Sequence, residues 1–246
     1  MVGQLLLRGM IAGLVAGFLA FCFAYVYGEP EVNYAIGLEE QKALAAGEDP
    51  GAEPELVSRS VQSTIGLGVG ILSFGAAAGG VFSLVFGFAY GRLGNLGARA
   101  TSALLAVAAY ISVVIVPQVK YAPNPPAVGS PETIGARTSL FFMLLLISVA
   151  IMVLAIKLAR KLWADQGPWR AGITAGVVWL VAIVVVLFAM PSVNEVPADF
   201  SADSLYRFRM VSLGIHAILW TVIGLLFGAL AERVLERTSG LRPLAA

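Results

Sequence analysis

Six apolar runs without a charged residue make up more than half of this chain. Each run is about as long as the roughly 20 residues that a helix needs to cross the hydrocarbon core of a bilayer. Only 13% of the 246 residues are charged, whereas a soluble domain carries about 25%. The sequence therefore predicts an all-α integral membrane protein with six transmembrane helices. The runs occupy residues 9–28, 60–91, 100–119, 138–156, 171–194 and 210–231.

A short phrase, Pro-x-Val followed by Asn or Lys, recurs at the ends of the odd-numbered runs. The copies begin at Pro30, Pro117 and Pro191, and such self-similarity is typical of a repeat architecture. We expect each proline to end its helix, because proline has no amide donor and restricts the residue before it. An arginine also stands near the start of every helix, at Arg8, Arg59, Arg99, Arg137, Arg170 and Arg209.

These regularities predict one transmembrane domain, residues 1–246, made of three helical hairpins. The hairpins cover about residues 1–91, 92–160 and 161–246, with an extended outer loop at 28–62. Because each hairpin would begin and end on one side, the copies are parallel repeats with a pseudo-threefold axis along the membrane normal. The arginines of the even helices would line the outer vestibule, or would mark helix ends at the interface by snorkelling.

The charges predict an orientation. Ten of the sixteen Lys and Arg residues fall on the side of the two termini, so we expect both termini in the cytoplasm and a multi-pass protein of the inner membrane. Twelve of the fifteen acidic residues fall on the outer side. They predict a negative surface that concentrates cations, although a solvated loop at 28–56 accounts for many of them equally well.

Glycines four residues apart predict close helix contacts, because they let two backbones approach where side chains would keep them apart. The pairs and triplets are Gly9, Gly13 and Gly17, Gly66 and Gly70, Gly75 and Gly79, Gly87 and Gly91, Gly172 and Gly176, and Gly224 and Gly228.

The proline-rich stretch from Lys120 to Thr138 reads K-Y-x-P-N-P-P-A-V-G-x-P-E-T-I-G-x-R-T. In this stretch the chain resembles the CbtA family of predicted cobalt transporter subunits, and Glu29-Pro30 and the glycine-punctuated first helix are similar too. The resemblance implies cobalt uptake linked to cobalamin biosynthesis, with a small membrane partner that carries a terminal histidine motif. It also implies five spans, but we favour six because three hairpins require an even number.

The chain has one cysteine, Cys22, and one histidine, His216, so a clustered high-affinity metal site is not expected. Cobalt(II) also accepts carboxylate and carbonyl oxygens, and transport requires weak or successive binding. We therefore expect no stably bound cofactor, and cobalt(II) only as the transported ion. The candidate metal ligands are Glu29, Glu31, Asn33, Asn124, Glu132, Asn194 and Glu195 in an outer oxygen-rich site, with His216 deeper in the sixth helix.

Each candidate has a structural alternative. Glu132 could pair with Arg137 at an exposed helix start, and His216 could donate a hydrogen bond across a helix pair.

No nucleotide-binding motif or catalytic constellation can be placed, so we predict no enzyme. The expected partner is the lipid bilayer rather than nucleic acid. Two other functions stay open: an accessory subunit of a larger membrane complex, and a transporter of a small solute such as a corrinoid. The latter predicts a wide apolar cavity containing Trp179 or Trp220.

Overall fold

A computed structural model describes residues 2–47, 56–126 and 128–239, and over these residues all regular structure is helical. Five helices in this part of the chain are long and apolar enough to cross a membrane, and the predicted all-α class is confirmed. A 3-10 turn, Pro131–Thr133, precedes the fourth helix. The helices are α1, Val2–Ala45; α2, Arg59–Ala89; α3, Ala98–Lys120; α4, Ile134–Ala189; and α5, Ala202–Ser239.

The fourth helix folds back on itself. As a straight rod its 56 residues would measure about 84 Å, far more than the roughly 30 Å of a hydrocarbon core. Gly167 breaks the helix at φ 73° and ψ 166°, and Pro168 follows. Leu144 before the break and Ile183 after it are buried in one apolar cluster, so the chain reverses direction between them. The first arm, residues 134–166, contains the apolar run predicted at 138–156, and the second arm, residues 168–189, contains most of the run predicted at 171–194.

The chain forms two compact units. The first contains α1, α2, the part of α3 up to Val107, and α5; the second contains the rest of α3, most of the proline-rich stretch, and α4 with the segment up to Phe200. Each unit has its own apolar core. In the core of the first unit the Phe227 ring packs edge-to-face against the rings of Phe82 and Phe86. Its centroid lies 5.6 Å from that of Phe82 and 5.1 Å from that of Phe86. The hairpin boundaries near residues 91 and 160 stay a prediction.

Glycines bring α1 and α2 into backbone contact. A Cβ atom built on Gly13 would lie 2.0 Å from the carbonyl oxygen of Gly75, and one built on Gly79 would lie 2.1 Å from that of Gly9. No side chain fits at such distances, so only glycine permits this interface. The glycine stripes of the first two helices are confirmed at these four positions.

A similar contact joins the start of α3 to α5. The Ser102 hydroxyl donates to the Gly224 carbonyl oxygen at 2.6 Å, and a Cβ at Gly224 would lie 2.5 Å from the Cβ of Ala106.

The prediction of close helix contacts is wrong at several other glycines. Within the described part of the chain nothing lies within 4 Å of a Cβ built on Gly70, Gly87, Gly91, Gly172 or Gly176.

Two of the three prolines do not end their helices. The first helix continues past Pro30 to Ala45, and α3 continues past Pro117 to Lys120. A π-helical segment precedes each proline and ends two residues before it, at Ala24–Gly28 in α1 and at Tyr110–Ile115 in α3. In a regular α-helix the proline ring would clash with the carbonyl group of the preceding turn. The wider π turn shifts that carbonyl away, so the helix can continue.

Only the third copy behaves as predicted. Met190 is extended, at φ −74° and ψ 143°, and Pro191 follows it outside the helix. This is the conformation that a following proline favours. Because α1 extends past Pro30, much of the predicted outer loop at 28–62 is helical, namely residues 29–45 and from 59 onward. Residues 48–55 of that loop lie outside the described part of the chain.

We expect Gly79→Ala to destabilise the protein, because its methyl group would collide with backbone atoms of α1 that cannot move aside. Overpacking of this kind costs about 1–3 kcal/mol, or several degrees in the Tm of the detergent-solubilised protein. The matched control is Gly70→Ala on the same helix, where the added methyl group meets open space and alanine favours the helix. Equal Tm values for the two variants would contradict the backbone contact.

Candidate functional site

The predicted ligands near the first proline phrase form a polar cluster with Arg59 in the first unit. Glu29 and Asn33 stand four residues apart on α1, so their side chains lie one above the other on one helix face. Arg59, the first residue of α2, bridges them: its guanidinium forms an ion pair with Glu29, and its Nε donates to Asn33 Oδ1 at 3.0 Å. The Glu29 side chain is only 11% exposed, so its charge is compensated by Arg59 rather than by water.

Glu31, two residues after Glu29 on α1, bonds to another helix. The hydroxyl of Ser204, a buried residue in the first turn of α5, donates to Glu31 Oε2. We group the polar residues around the Glu29–Asn33 stretch of α1 as the Arg59 cluster, which carries two carboxylates and one guanidinium in two separate sets of contacts; its members are Glu29, Glu31, Asn33, Arg59 and Ser204.

Irregular helical turns flank this cluster on both α1 and α2. The π segment Ala24–Gly28 ends immediately before Glu29, and a second one, Gln62–Gly66, begins three residues after Arg59. Such segments widen the helix locally and occur frequently at functional sites. They position the Arg59 cluster at the place where α1 and α2 depart from regular α geometry.

A second polar cluster forms around Arg137 in the second unit. Arg137, in the first turn of α4, pairs with Glu195 of the third proline phrase at 3.3 Å, and its Nη2 donates to the Ser130 carbonyl oxygen at 3.2 Å. The Ser130 amide donates to Glu195 Oε2 at 2.9 Å. Gly129 has φ 120°, and a Cβ there would lie 2.5 Å from Arg137 Nη1, so a glycine is required beside the guanidinium.

Glu132 lies in the same cluster but does not pair with Arg137, and this alternative is therefore wrong. Its carboxylate accepts a hydrogen bond from the Ser130 hydroxyl, and this bond, followed by one from its own backbone amide, lowers the pKa of Glu132. The pKa of Glu195 is lowered first by hydrogen bonding from Thr133, then by the Ser130 amide and the charge of Arg137. Both carboxylates of the Arg137 cluster (Ser130, Glu132, Thr133, Arg137, Glu195) are therefore ionised at neutral pH.

The second and third proline phrases are in direct contact. Lys120 Nζ donates to Ser192 Oγ at 2.9 Å, and the Tyr121 hydroxyl donates to the Pro191 carbonyl oxygen at 2.8 Å. These bonds tie the end of α3 to the segment after α4. They hold that segment in place where Glu195 reaches Arg137.

The remaining candidate ligands are His216, Asn124 and Asn194. His216 lies in α5, and its Nδ1 hydrogen-bonds the Ser212 carbonyl oxygen at 2.8 Å, so this bond lies within the helix rather than across a helix pair. Asn124 is half-buried after α3, and Asn194 Oδ1 accepts the Val196 amide at 3.5 Å. Cys22 is exposed.

The predicted ligands are divided between the two compact units of the chain. Glu29, Glu31, Asn33 and His216 belong to the first unit, whereas Asn124, Glu132 and Glu195 belong to the second. Among the described residues there is no group of three or more His, Cys, Asp or Glu side chains that could hold a metal ion. Each unit has one polar cluster, with two carboxylates and one arginine.

Sequence reasoning missed the hydroxyl groups that hold these carboxylates. Ser130 and Thr133 had a local signal, because a Ser-Pro-Glu-Thr run immediately before a helix is rich in residues that bond helix starts. Ser204 had no local signal in the sequence, because its hydrogen bond to Glu31 joins residues that are 173 positions apart along the chain.

A cavity of about 220 Å³ lies in the first unit. It is smaller than the roughly 300–1,000 Å³ typical of small-molecule sites, and its lining includes neither Trp179 nor Trp220. The lining residues are Val2, Leu5, Ser83, Leu84, Phe86, Gly87, Phe88, Tyr90 and Leu235.

We expect the Arg137 cluster to make stability depend on pH in acid. Because the pKa of Glu195 is lowered in the folded protein, its bonds stabilise the fold above the ordinary pKa of about 4.5. That stabilisation is lost as the pH falls through the folded-state pKa. Tm measured from pH 6 to pH 3 should therefore fall more steeply for the wild type than for Glu195→Gln. Asp203→Asn, which removes an exposed carboxylate paired with Arg207, is the control and should follow the wild type; parallel curves for wild type and Glu195→Gln would refute the assignment.

Comparison with known proteins agrees with the resemblance carried by the proline-rich stretch. Residues 2–232 match the family described as "Probable cobalt transporter subunit (CbtA)". No curated protein and no solved structure matches the chain significantly. Since the match covers nearly the whole sequence, the chain belongs to the CbtA family.

Proposed function

We propose that this chain is the membrane subunit of a cobalt(II) uptake system, in which it supplies the transmembrane pathway or its scaffold. The observation that carries the proposal is the CbtA match over residues 2–232, because the family is described as a transporter subunit and not as an enzyme. The apolar helices, which fit a membrane protein, support the same conclusion.

The polar clusters suit an ion that must be bound weakly. In each cluster an arginine neutralises one carboxylate, Glu29 or Glu195, and the other carboxylate accepts a bond from a serine hydroxyl. Glu31 and Glu132 are therefore the carboxylates best able to attract a hydrated cation. An ion held by one or two such groups can leave again, as transport requires.

We further propose that the chain crosses the inner membrane six times as three parallel hairpins, with both termini in the cytoplasm. Three observations support this arrangement. The fourth helix reverses at Gly167 into two arms. The first two proline phrases follow a π segment at the same offset. Basic residues predominate at the ends assigned to the cytoplasm.

The two ion pairs are not at equivalent positions in the proposed repeat. Arg59 pairs with the proline phrase of its own hairpin, whereas Arg137 pairs with that of the third hairpin. The repeat therefore describes the path of the chain and the placement of helix-start arginines, while the polar contacts differ from copy to copy.

The crossing number can be measured directly. Six crossings place both termini in one compartment, whereas five place them in opposite compartments. We expect a fluorescent reporter that folds only in the cytoplasm to be active on either terminus. In a Cys22→Ser background, Ala164→Cys in the turn of α4 should react with an impermeant thiol reagent only after cell lysis. Labelling of Ala164→Cys in intact cells, or termini in different compartments, would contradict the six-span arrangement.

A partner is part of this proposal. The chain contains a single histidine, His216, and the described residues form no metal-binding group, so selection of the metal requires ligands from elsewhere. The CbtA resemblance implies a small membrane subunit with a histidine motif, and we assign that selection to it. The cobalt supplied would serve cobalamin biosynthesis.

Uptake of radiolabelled cobalt at nanomolar supply tests the function. We expect cells without the protein to take up less cobalt, and Glu132→Gln to raise the half-saturating concentration about fivefold, because one surface charge contributes about 1 kcal/mol. His216→Ala should instead lower the maximal rate, since it removes a group within the pathway. Asp165→Asn, an equal charge change in the turn of α4, is the matched control and should behave as the wild type.

The same curves distinguish transport from an accessory role. If Glu132→Gln and His216→Ala both overlay the wild type at matched expression, neither residue lies on the path of the ion. Unchanged uptake of cobalt, nickel and zinc in cells without the protein would remove the transport proposal altogether.

A further inference from the structure

The turn that joins the two arms of α4 carries an unusual concentration of positive charge. Lys157, Arg160, Lys161 and Arg170 lie within residues 157–170, which contain a single acidic residue, Asp165. All five of these side chains are exposed. The first three stand at i, i+3 and i+4 on a regular helix, so they share one face.

Within the described residues these four cations form no ion pair, unlike Arg59, Arg99, Arg137 and Arg207. At the proline-phrase ends of the helices, Arg59, Arg137 and Arg207 form ion pairs, and Lys120 donates to a serine hydroxyl. By contrast, within residues 2–47, 56–126 and 128–239 the four cations of the turn have no ion-pair or hydrogen-bond partner. Clustered like charges repel one another, so such a face is stabilised by an external anion.

The position of the turn indicates which anion. The apolar run at 138–156 ends immediately before Lys157, and the run at 171–194 begins immediately after Arg170. Both ends of the charged segment therefore lie where a membrane helix leaves the hydrocarbon core. This is the depth of the phospholipid headgroups.

Two exposed tryptophans support this depth. Trp163 is 48% exposed and Trp169 is 79% exposed, and they lie on opposite sides of the break at Gly167. Tryptophan concentrates at the membrane interface, because its ring prefers the apolar side while its N–H needs a polar partner. Basic residues next to such anchors attract anionic lipids.

We propose that the Lys157–Arg170 turn binds the headgroups of anionic phospholipids, with Trp163 and Trp169 seated in the interface beside them. The lipid phosphates accept hydrogen bonds from the lysine and arginine side chains and replace the missing intramolecular partners. Bound in this way, the lipids fix the end of the α4 hairpin at the membrane surface. The inference is independent of the transported ion, and it rests on the charge, exposure and position of the turn together with the six-span arrangement proposed above.

Native mass spectrometry of the full-length protein in neutral detergent tests the proposal, with dioleoyl-phosphatidylglycerol as the probe and dioleoyl-phosphatidylcholine as the zwitterionic comparison. We expect the wild type to retain phosphatidylglycerol preferentially. The triple variant Lys157→Gln, Arg160→Gln, Lys161→Gln should weaken that binding about ten- to a hundredfold. The matched control removes three exposed cations that lie elsewhere, one in the turn after α2 and two far apart on α5, and should weaken the binding less; its changes are Arg92→Gln, Arg207→Gln and Arg233→Gln.

Several outcomes would overturn the proposal. Equal retention of the two lipids, or equal losses in the two triple variants, would show that the turn is not a specific anionic lipid site. Displacement of the lipid by millimolar inorganic phosphate would identify a site for soluble anions. Stoichiometric co-purification of an acidic protein, lost in the turn variant, would assign the surface to that partner instead. Equal Tm values of the two variants in lipid-free detergent verify that both fold.

Discussion

The contact between the glycine backbones of α1 and α2 is the interaction on which the first unit is built. Within a bilayer the lipid tails are as apolar as leucine, so burial of apolar side chains gives little drive for two helices to associate. Close backbone approach at Gly13 and Gly75, and at Gly9 and Gly79, provides dense dispersion contacts instead. The aromatic cluster around Phe227 and the hydrogen bond from Ser102 then add α5 and the start of α3 to this pair.

Charge is kept to the ends of the helices, where it is organised in two different ways. At the ends that carry the proline phrases, Arg59 and Arg137 bind carboxylates and leave a small negative excess in each cluster. At the turn of α4, the cations are exposed without a partner among the described residues. The first arrangement suits transient attraction of a metal cation. The second suits binding to the negatively charged surface of a membrane.

Helix irregularities connect the fold to the candidate site. Proline ordinarily ends or kinks a helix, yet α1 and α3 continue through Pro30 and Pro117 because a π segment precedes each one. This continuation carries Glu31 and Asn33 on a helix rather than on a loop. Helical spacing then places Glu29 and Asn33 on one face, where a single guanidinium reaches both. The Arg59 cluster is therefore a consequence of the irregular turns beside it.

Local properties of the chain were enough to establish the membrane class, the apolar segments and the family, because hydrocarbon thickness sets segment length and the proline-rich stretch is a contiguous pattern. The arginines near the helix starts could also be identified from the sequence, because the apolar segment of a membrane helix begins next to the last charged residue before it. Only the tertiary structure decided which glycine stripes face another helix and which face outward, because spacing defines a stripe but not its partner. It also decided that Arg137 binds Glu195 rather than the nearby Glu132, and that Glu31 binds Ser204. Such pairs depend on how distant helix ends converge in space, and that convergence is set by packing of whole helices rather than by residue spacing.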